Sequence, residues 1–213
     1  MQPFSTFTAV AAYLDRSNVD TDLIIPKQFL KRIDRHGYGV HLFNDLRFTG
    51  DGKEDPSFVL NAPRYKGAGV LVSLDNFGGG SSREAAAWAI QDYGFKAVVA
   101  AGFADIFSGN SLKIGLLLVQ LPLAETRELI RRIRENEGYA ITVDLEKRTL
   151  TGSDGWTREF EIDPFKREKL LEGRDDIAAA LALEPEIRRY EEAHGAPWEA
   201  ALPERDPNGA DGG

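Results

Sequence analysis

The chain has 213 residues, 42% hydrophobic and 28% charged, the balance of a folded protein rather than a solvated coil. A formal net charge of -8 argues against nucleic acid as the main partner, because neutralising phosphates takes a clustered excess of Lys and Arg, although a small anionic substrate remains compatible with it. The absence of cysteine excludes disulfides, a thiol nucleophile and any cysteine-ligated zinc or iron–sulfur centre within the chain.

In chain order, Phe7 to Leu14 and Gly69 to Leu74 read as buried strands, followed by a helix over Ser82 to Tyr93. A strand over Phe95 to Ala101, a helix over Ala104 to Leu112 and a strand over Leu116 to Leu121 continue the alternation. A longer amphipathic helix spans Leu123 to Asn136 and ends at Glu137-Gly138, a C-cap pair. Ile141 to Leu145 and Thr149 to Thr151, joined by Glu146-Lys147-Arg148, form a hairpin, with Arg158 to Ile162 as a third strand. This is an α/β pattern: a parallel or mixed sheet with helices packed on it, then a small β appendage. From Pro164 the pattern is helical and charged, with Phe165, Leu170, Leu171, Ile177, Leu181 and Ile187 as its apolar positions. The expected organisation is a domain over 1–163, a helical extension over 164–195 and a disordered tail over 196–213, rich in Pro, Gly and Asp.

No apolar run approaches the roughly 20 residues of a membrane helix, and Ala97 to Ala101 is strand-sized. The N-terminus has no basic head or apolar signal core, so a cytoplasmic protein with no membrane partner is expected. His36, His41 and His194 are the only histidines and show no metal-ligand spacing, so metal chemistry would have to come from another chain.

The most informative segment is Asp75-Asn76-Phe77-Gly78-Gly79-Gly80-Ser81-Ser82-Arg83-Glu84, between a strand and a helix. Three glycines permit a tight turn and close approach of a ligand. Ser81 stands where an N-cap belongs and Glu84 follows three residues later, the spacing of a capping box. One reading is a well-capped glycine turn and nothing more. The other is an anion site. Arg83 in the first helical turn would oppose the helix dipole, at a cost of about 0.3–1 kcal/mol, and is better explained by an anionic partner such as a carboxylate. A serine hydroxyl beside N–H donors and a guanidinium is also where an alkoxide is least unfavourable.

The stretch Asn76 to Glu84 resembles the active-site loop of the aconitase superfamily's swivelling domain. Asn18-Val19-Asp20-Thr21-Asp22-Leu23-Ile24-Ile25-Pro26 is similar to a signature of isopropylmalate dehydratase small subunits. Gly37-Tyr38-Gly39, His41-Leu42-Phe43-Asn44-Asp45, Asp92-Tyr93-Gly94-Phe95-Lys96, Phe103 to Phe107 with Gly109-Asn110-Ser111, and Gly173 with Asp175-Asp176-Ile177 follow in the family's order. The resemblance implies a swivelling β/β/α domain that closes over a large subunit bearing a four-iron–four-sulfur cluster, with no cofactor in this chain. It implies isomerisation of 2-isopropylmalate to 3-isopropylmalate by dehydration and rehydration in leucine biosynthesis. By position, Ser81 would be the base that takes the proton α to a carboxylate, and Ser82 and Arg83 would hold a dicarboxylate substrate, with Gly80 beside them.

For Asp20 and Asp22 two readings stand: an Asx turn before a helix at Pro26, or Asp22 orienting an active-site group. Lys27 is either a second carboxylate contact or a solvated lysine, Asn110 and Ser111 terminate a helix, and His41 is a surface or interface histidine rather than a base. Substrate choice is expected in the loop between Lys27 and Asp55. The chain departs from the family pattern at Gly79 (usually Cys), at Ala85-Ala86-Ala87 (usually His, Ala, Pro), at Lys113 and Ile114 (usually a pair of Asn) and at Ala178-Ala179-Ala180 (usually Gly, Leu, Thr). These departures keep two alternatives open: a hydro-lyase subunit for another 2-hydroxydicarboxylate such as a methylmalate, or a non-catalytic anion-binding partner.

Overall fold

The computed structural model describes residues 1–30, 36–174, 181 and 183–194. The chain divides into two compact units, Met1–Asp175 and Asp176–Gly213. In the first, strands β1 (Phe7–Leu14), β2 (Val70–Ser73), β3 (Ala97–Ala100), β4 (Leu117–Gln120), β5 (Ala140–Asp144), β6 (Thr149–Gly152) and β7 (Thr157–Glu159) form one mixed sheet. Their order is β4-β3-β2-β1-β5-β6-β7.

The two halves of the sheet meet in β1. Residues from Ala11 to Leu14 pair in parallel with β2, while Phe7 to Val10 pair antiparallel with β5. β2 and β3 are buried at every position, as continuous apolar runs in a parallel sheet must be. β5 and β6 alternate buried and half-exposed residues, the pattern of strands with one wet face. The antiparallel strands expected as an appendage therefore extend the same sheet, because the free edge of β1 receives β5.

Helix α1 (Thr21–Ile24) follows β1, α2 (Asn44–Arg47) lies in the long connection to β2, and α3 (Glu84–Tyr93), α4 (Asp105–Ile114) and α5 (Leu123–Glu135) separate the later strands. α5 packs on β1, β2 and β3 and buries Leu129, Ile130 and Ile133, each worth about 1.5–3 kcal/mol. α3 packs on α4 and α1, burying Ala85, Ala86, Ala87 and Ala89, whose small side chains let backbones approach.

Helix α6 (Pro164–Glu172) begins with Asp163 as N-cap, its carboxylate accepting from Lys166 N–H at 3.1 Å. It buries Leu170, whose carbonyl accepts from Phe4 N–H at 2.8 Å. Helix α6 lies within the first unit and is bonded to the N-terminal segment. The second unit contains α7 (Glu184–His194), which buries no residue. Asp175-Asp176-Ile177, Ala178-Ala179-Ala180 and the tail at 196–213 lie outside the described residues. No described helix is long and apolar enough to cross a membrane.

Candidate active site

Parallel neighbours end on the same edge of a sheet, so the segments leaving β1, β2 and β3 meet there. The glycine-rich segment after β2 lies in the middle. On one side Asn18 N–H donates to Asp75 O (2.9 Å), Gly78 N–H to Val19 O (2.7 Å) and Thr21 N–H to Gly79 O (2.8 Å). On the other, Phe77 N–H donates to Gly102 O (2.9 Å) and Ala104 N–H to Phe77 O (3.0 Å). The buried Phe77 ring packs edge-on against Phe103 and Phe107.

Two asparagines fasten the base of the loop. Asn76 Nδ2 donates to Asn18 Oδ1 at 2.8 Å, and both residues take left-handed backbone angles, φ +55° and +56°, which Asn tolerates better than most residues. Gly78 has φ +81°, and a Cβ there would lie 2.5 Å from Phe107 Cβ. Gly80, at φ +92°, is exposed and leads into Ser81 and Ser82, which are exposed as well.

The helix begins later than the sequence suggests. Arg83, at φ -74° and ψ 109°, is the N-cap of α3, without a side-chain cap bond, so Ser81 is not a cap and no capping box forms. The reason lies in the local turn: Gly80 has a positive φ, and Arg83 N–H donates to Ser81 O at 2.8 Å, which keeps Ser81 and Ser82 out of the helix. Glu84 pairs instead with Lys113 at 3.5 Å.

The anion that Arg83 demands is already present in the chain. Its Nη1 donates to Asp22 Oδ1, with the arginine side chain 21% and the aspartate 58% exposed. Asp20 caps α1, accepting from Leu23 N–H at 2.7 Å, while Asp22 is the ion-pair partner of Arg83. Pro26 opens only a short 3-10 turn, Lys27–Phe29. Lys27 is exposed there, and its side chain makes no hydrogen bond or ion pair among the described residues.

With this geometry in place, the chain can be set beside known proteins. A model of the aconitase C-terminal domain matches residues 1–124, and one described as LeuD_N matches residues 127–164. The 3-isopropylmalate dehydratase small subunit of Rhodopirellula baltica is 50% identical over 92% of this chain and 100% of that protein. That of Aromatoleum aromaticum is 49% identical over 90% of this chain and 94% of its own length. This chain belongs to the 3-isopropylmalate dehydratase small-subunit family. The solved structure of a 3-isopropylmalate dehydratase from Methanocaldococcus jannaschii aligns with a TM-score of 0.63 at 26% identity, covering 87% of this chain and 99% of that one. Members of this small-subunit family are hydro-lyase components that work with a large subunit.

Seen as a dehydratase small subunit, the chain carries one of its departures from the family pattern in a packed place, whereas Lys113 is exposed. Ala85, Ala86 and Ala87 are buried at the start of α3, where the family's histidine and proline would stand. Asn110 and Ser111 do not terminate a helix: α4 runs on to Ile114 and closes on Gly115 at φ +84°, so both are interior and buried. Ser111 Oγ is sealed without a hydrogen-bond partner among the described residues. His41 stacks on Phe29 with ring centres 3.9 Å apart. The loop expected to choose the substrate is anchored by Phe43 N–H to Ile24 O (2.9 Å), by Gly39 N–H to Asp92 Oδ2 (2.8 Å) and by the buried Arg47, whose Nε donates to Asn61 Oδ1 (3.2 Å).

Among the described residues no three His, Asp or Glu side chains are placed to hold a metal ion, and the sequence offers no thiolate. This chain's residues therefore do not fit an iron–sulfur cluster. Sequence reasoning missed Thr21. It lies between the two aspartates, and its burial beneath Ser81 has no signature in the linear pattern.

Proposed function

We propose that this chain, joined to a cluster-bearing large subunit in the cytoplasm, isomerises 2-isopropylmalate to 3-isopropylmalate by removing and re-adding water. The observation that carries the reading is an exposed Ser81 hydroxyl on a loop bonded along both sides, two residues before a guanidinium held by Asp22. In the forward step the alkoxide of Ser81 takes the proton from the carbon next to a carboxylate and becomes the neutral hydroxyl, while the hydroxyl on the neighbouring carbon leaves as water with a proton from an acid on the large subunit. Arg83 has five N–H donors, and only Nη1 is engaged among the described residues, so the rest of the guanidinium is available to a substrate carboxylate. Asp22 then orients the arginine, Ser82 and the Gly80 N–H add donors, and Lys27 supports the second carboxylate.

The test is the complex co-expressed with its large subunit and loaded with cluster. Ser81→Ala is expected to lower turnover by roughly 10²–10⁴-fold, the span of a lost proton-transfer group, with assembly intact. Unchanged turnover in an assembled Ser81→Ala complex would remove the base assignment. A panel of 2-hydroxydicarboxylates with shorter side chains distinguishes isopropylmalate from a methylmalate as the substrate.

A further inference from the structure

We propose that Thr21 is a positioning residue for Ser81, its single buried hydroxyl serving both the neutral and the ionised serine. The inference rests on the reading of Ser81 as the base. Thr21 is 1% exposed, although it lies beneath a loop whose two serines are open to solvent. Its backbone N–H is fixed by Gly79 O at 2.8 Å. Its Oγ1 donates to Ser81 O at 3.1 Å and lies 3.5 Å from Ser81 Oγ. Two contacts to one residue, one to the backbone and one to the reacting oxygen, place the serine through its main chain and its side chain together.

A hydroxyl has one proton and two lone pairs. With the Thr21 proton on the Ser81 carbonyl, a lone pair of Oγ1 faces the serine's own O–H. When Ser81 loses its proton, rotation about Cβ–Oγ1 turns the Thr21 proton from the carbonyl to the charged oxygen. Charge-assisted hydrogen bonds are about twice as strong as neutral ones, so that exchange favours the ionised serine. The β-branched side chain is stiff at χ1, which keeps the oxygen in place while the proton turns. A residue with the same shape and no hydroxyl would fill the space and lose the function.

The experiment compares Thr21→Val and Thr21→Ser with Ser81→Ala in the assembled, cluster-loaded complex. Valine is expected to lower kcat by about 10- to 100-fold, the size of one hydrogen bond to a charged group, with KM within about twofold. It also moves the rising limb of the pH–kcat profile to higher pH, because a donor to the charged form is gone. Serine restores kcat to within about threefold of the parent, since it keeps the donor. If Ser81→Ala is inactive while Thr21→Val matches the parent in kcat and pH profile, the inference falls and the base assignment survives. Equal losses in Thr21→Val and Thr21→Ser would also overturn it, by showing that packing alone is at stake. If Ser81→Ala keeps full turnover, the base assignment fails and takes the inference with it. Should valine prevent assembly, Thr21→Cys, a weaker donor of similar size, is read in the same way: a partial loss supports the proposal and parental kcat refutes it.

Discussion

Three glycines separate helix propensity, backbone strain and packing as contributions to stability. At Gly109, in the exposed middle of α4, an added Cβ meets nothing within 4 Å, so Gly109→Ala gains only helix propensity, about 0.5–1 kcal/mol. At Gly67 the space is equally open but φ is +75°, and Gly67→Ala incurs the left-handed backbone cost of about 1–2 kcal/mol. At Gly78 the backbone cost recurs at φ +81°, and the new Cβ enters the space of Phe107. Overpacking adds roughly 1–3 kcal/mol, for a total of about 2–5. In a protein of this size 1 kcal/mol moves the midpoint by about 2–4 °C, so the expected changes are a rise of roughly 1–4 °C for Gly109→Ala and falls of roughly 2–8 °C for Gly67→Ala and 4–20 °C for Gly78→Ala. Thermal unfolding followed by far-ultraviolet circular dichroism measures all three. If Gly78→Ala melted no lower than Gly67→Ala, the packing of Phe107 beneath the loop would not constrain it, and the reasoning would be refuted.

Ala85→His restores the family's histidine at a position that is 7% exposed. It is expected to cost about 1–3 kcal/mol by overpacking and to leave turnover of the assembled complex no higher; a stable variant with raised turnover would contradict this. The Glu128 carboxyl is held at about 2, below its ordinary 4.5, chiefly by hydrogen bonds from Arg131. A depressed carboxyl contributes stability that is fully present above pH 4.5 and is lost as the pH falls through about 2. Glu128→Gln should therefore unfold at lower urea than the parent at pH 7, with the gap closing near pH 2; a gap independent of pH would show that the pair adds nothing through its charge.

Much of the architecture was legible because apolar runs announce buried strands: Phe7–Leu14 is a strand from end to end, and the runs around Val70, Val98 and Leu117 centre on β2, β3 and β4. The destination of the hairpin was not, because β5 pairs with β1, whose residues lie more than a hundred positions earlier, and register across that distance leaves no local trace. The start of α3 escaped for a local reason. The positive φ of Gly80 and the bond from Arg83 to Ser81 override a sequence that reads as a capping box. In the candidate site, the motifs pointed to Ser81, Arg83 and Asp22, and the ion pair shows how two of them meet. Lys27 is exposed on a short 3-10 turn, and Thr21 escaped notice because burial under a neighbour is a property of three dimensions.

The ladder between Asn18–Thr21 and Asp75–Gly79 also sets a timetable. Those partners are separated by more than fifty residues, and their alignment depends on β1 and β2 having already found each other. Non-local parallel pairing is slow to form. During refolding, helical signal should return first, and the capacity to engage an anion at Arg83 should return only when this last seam has closed.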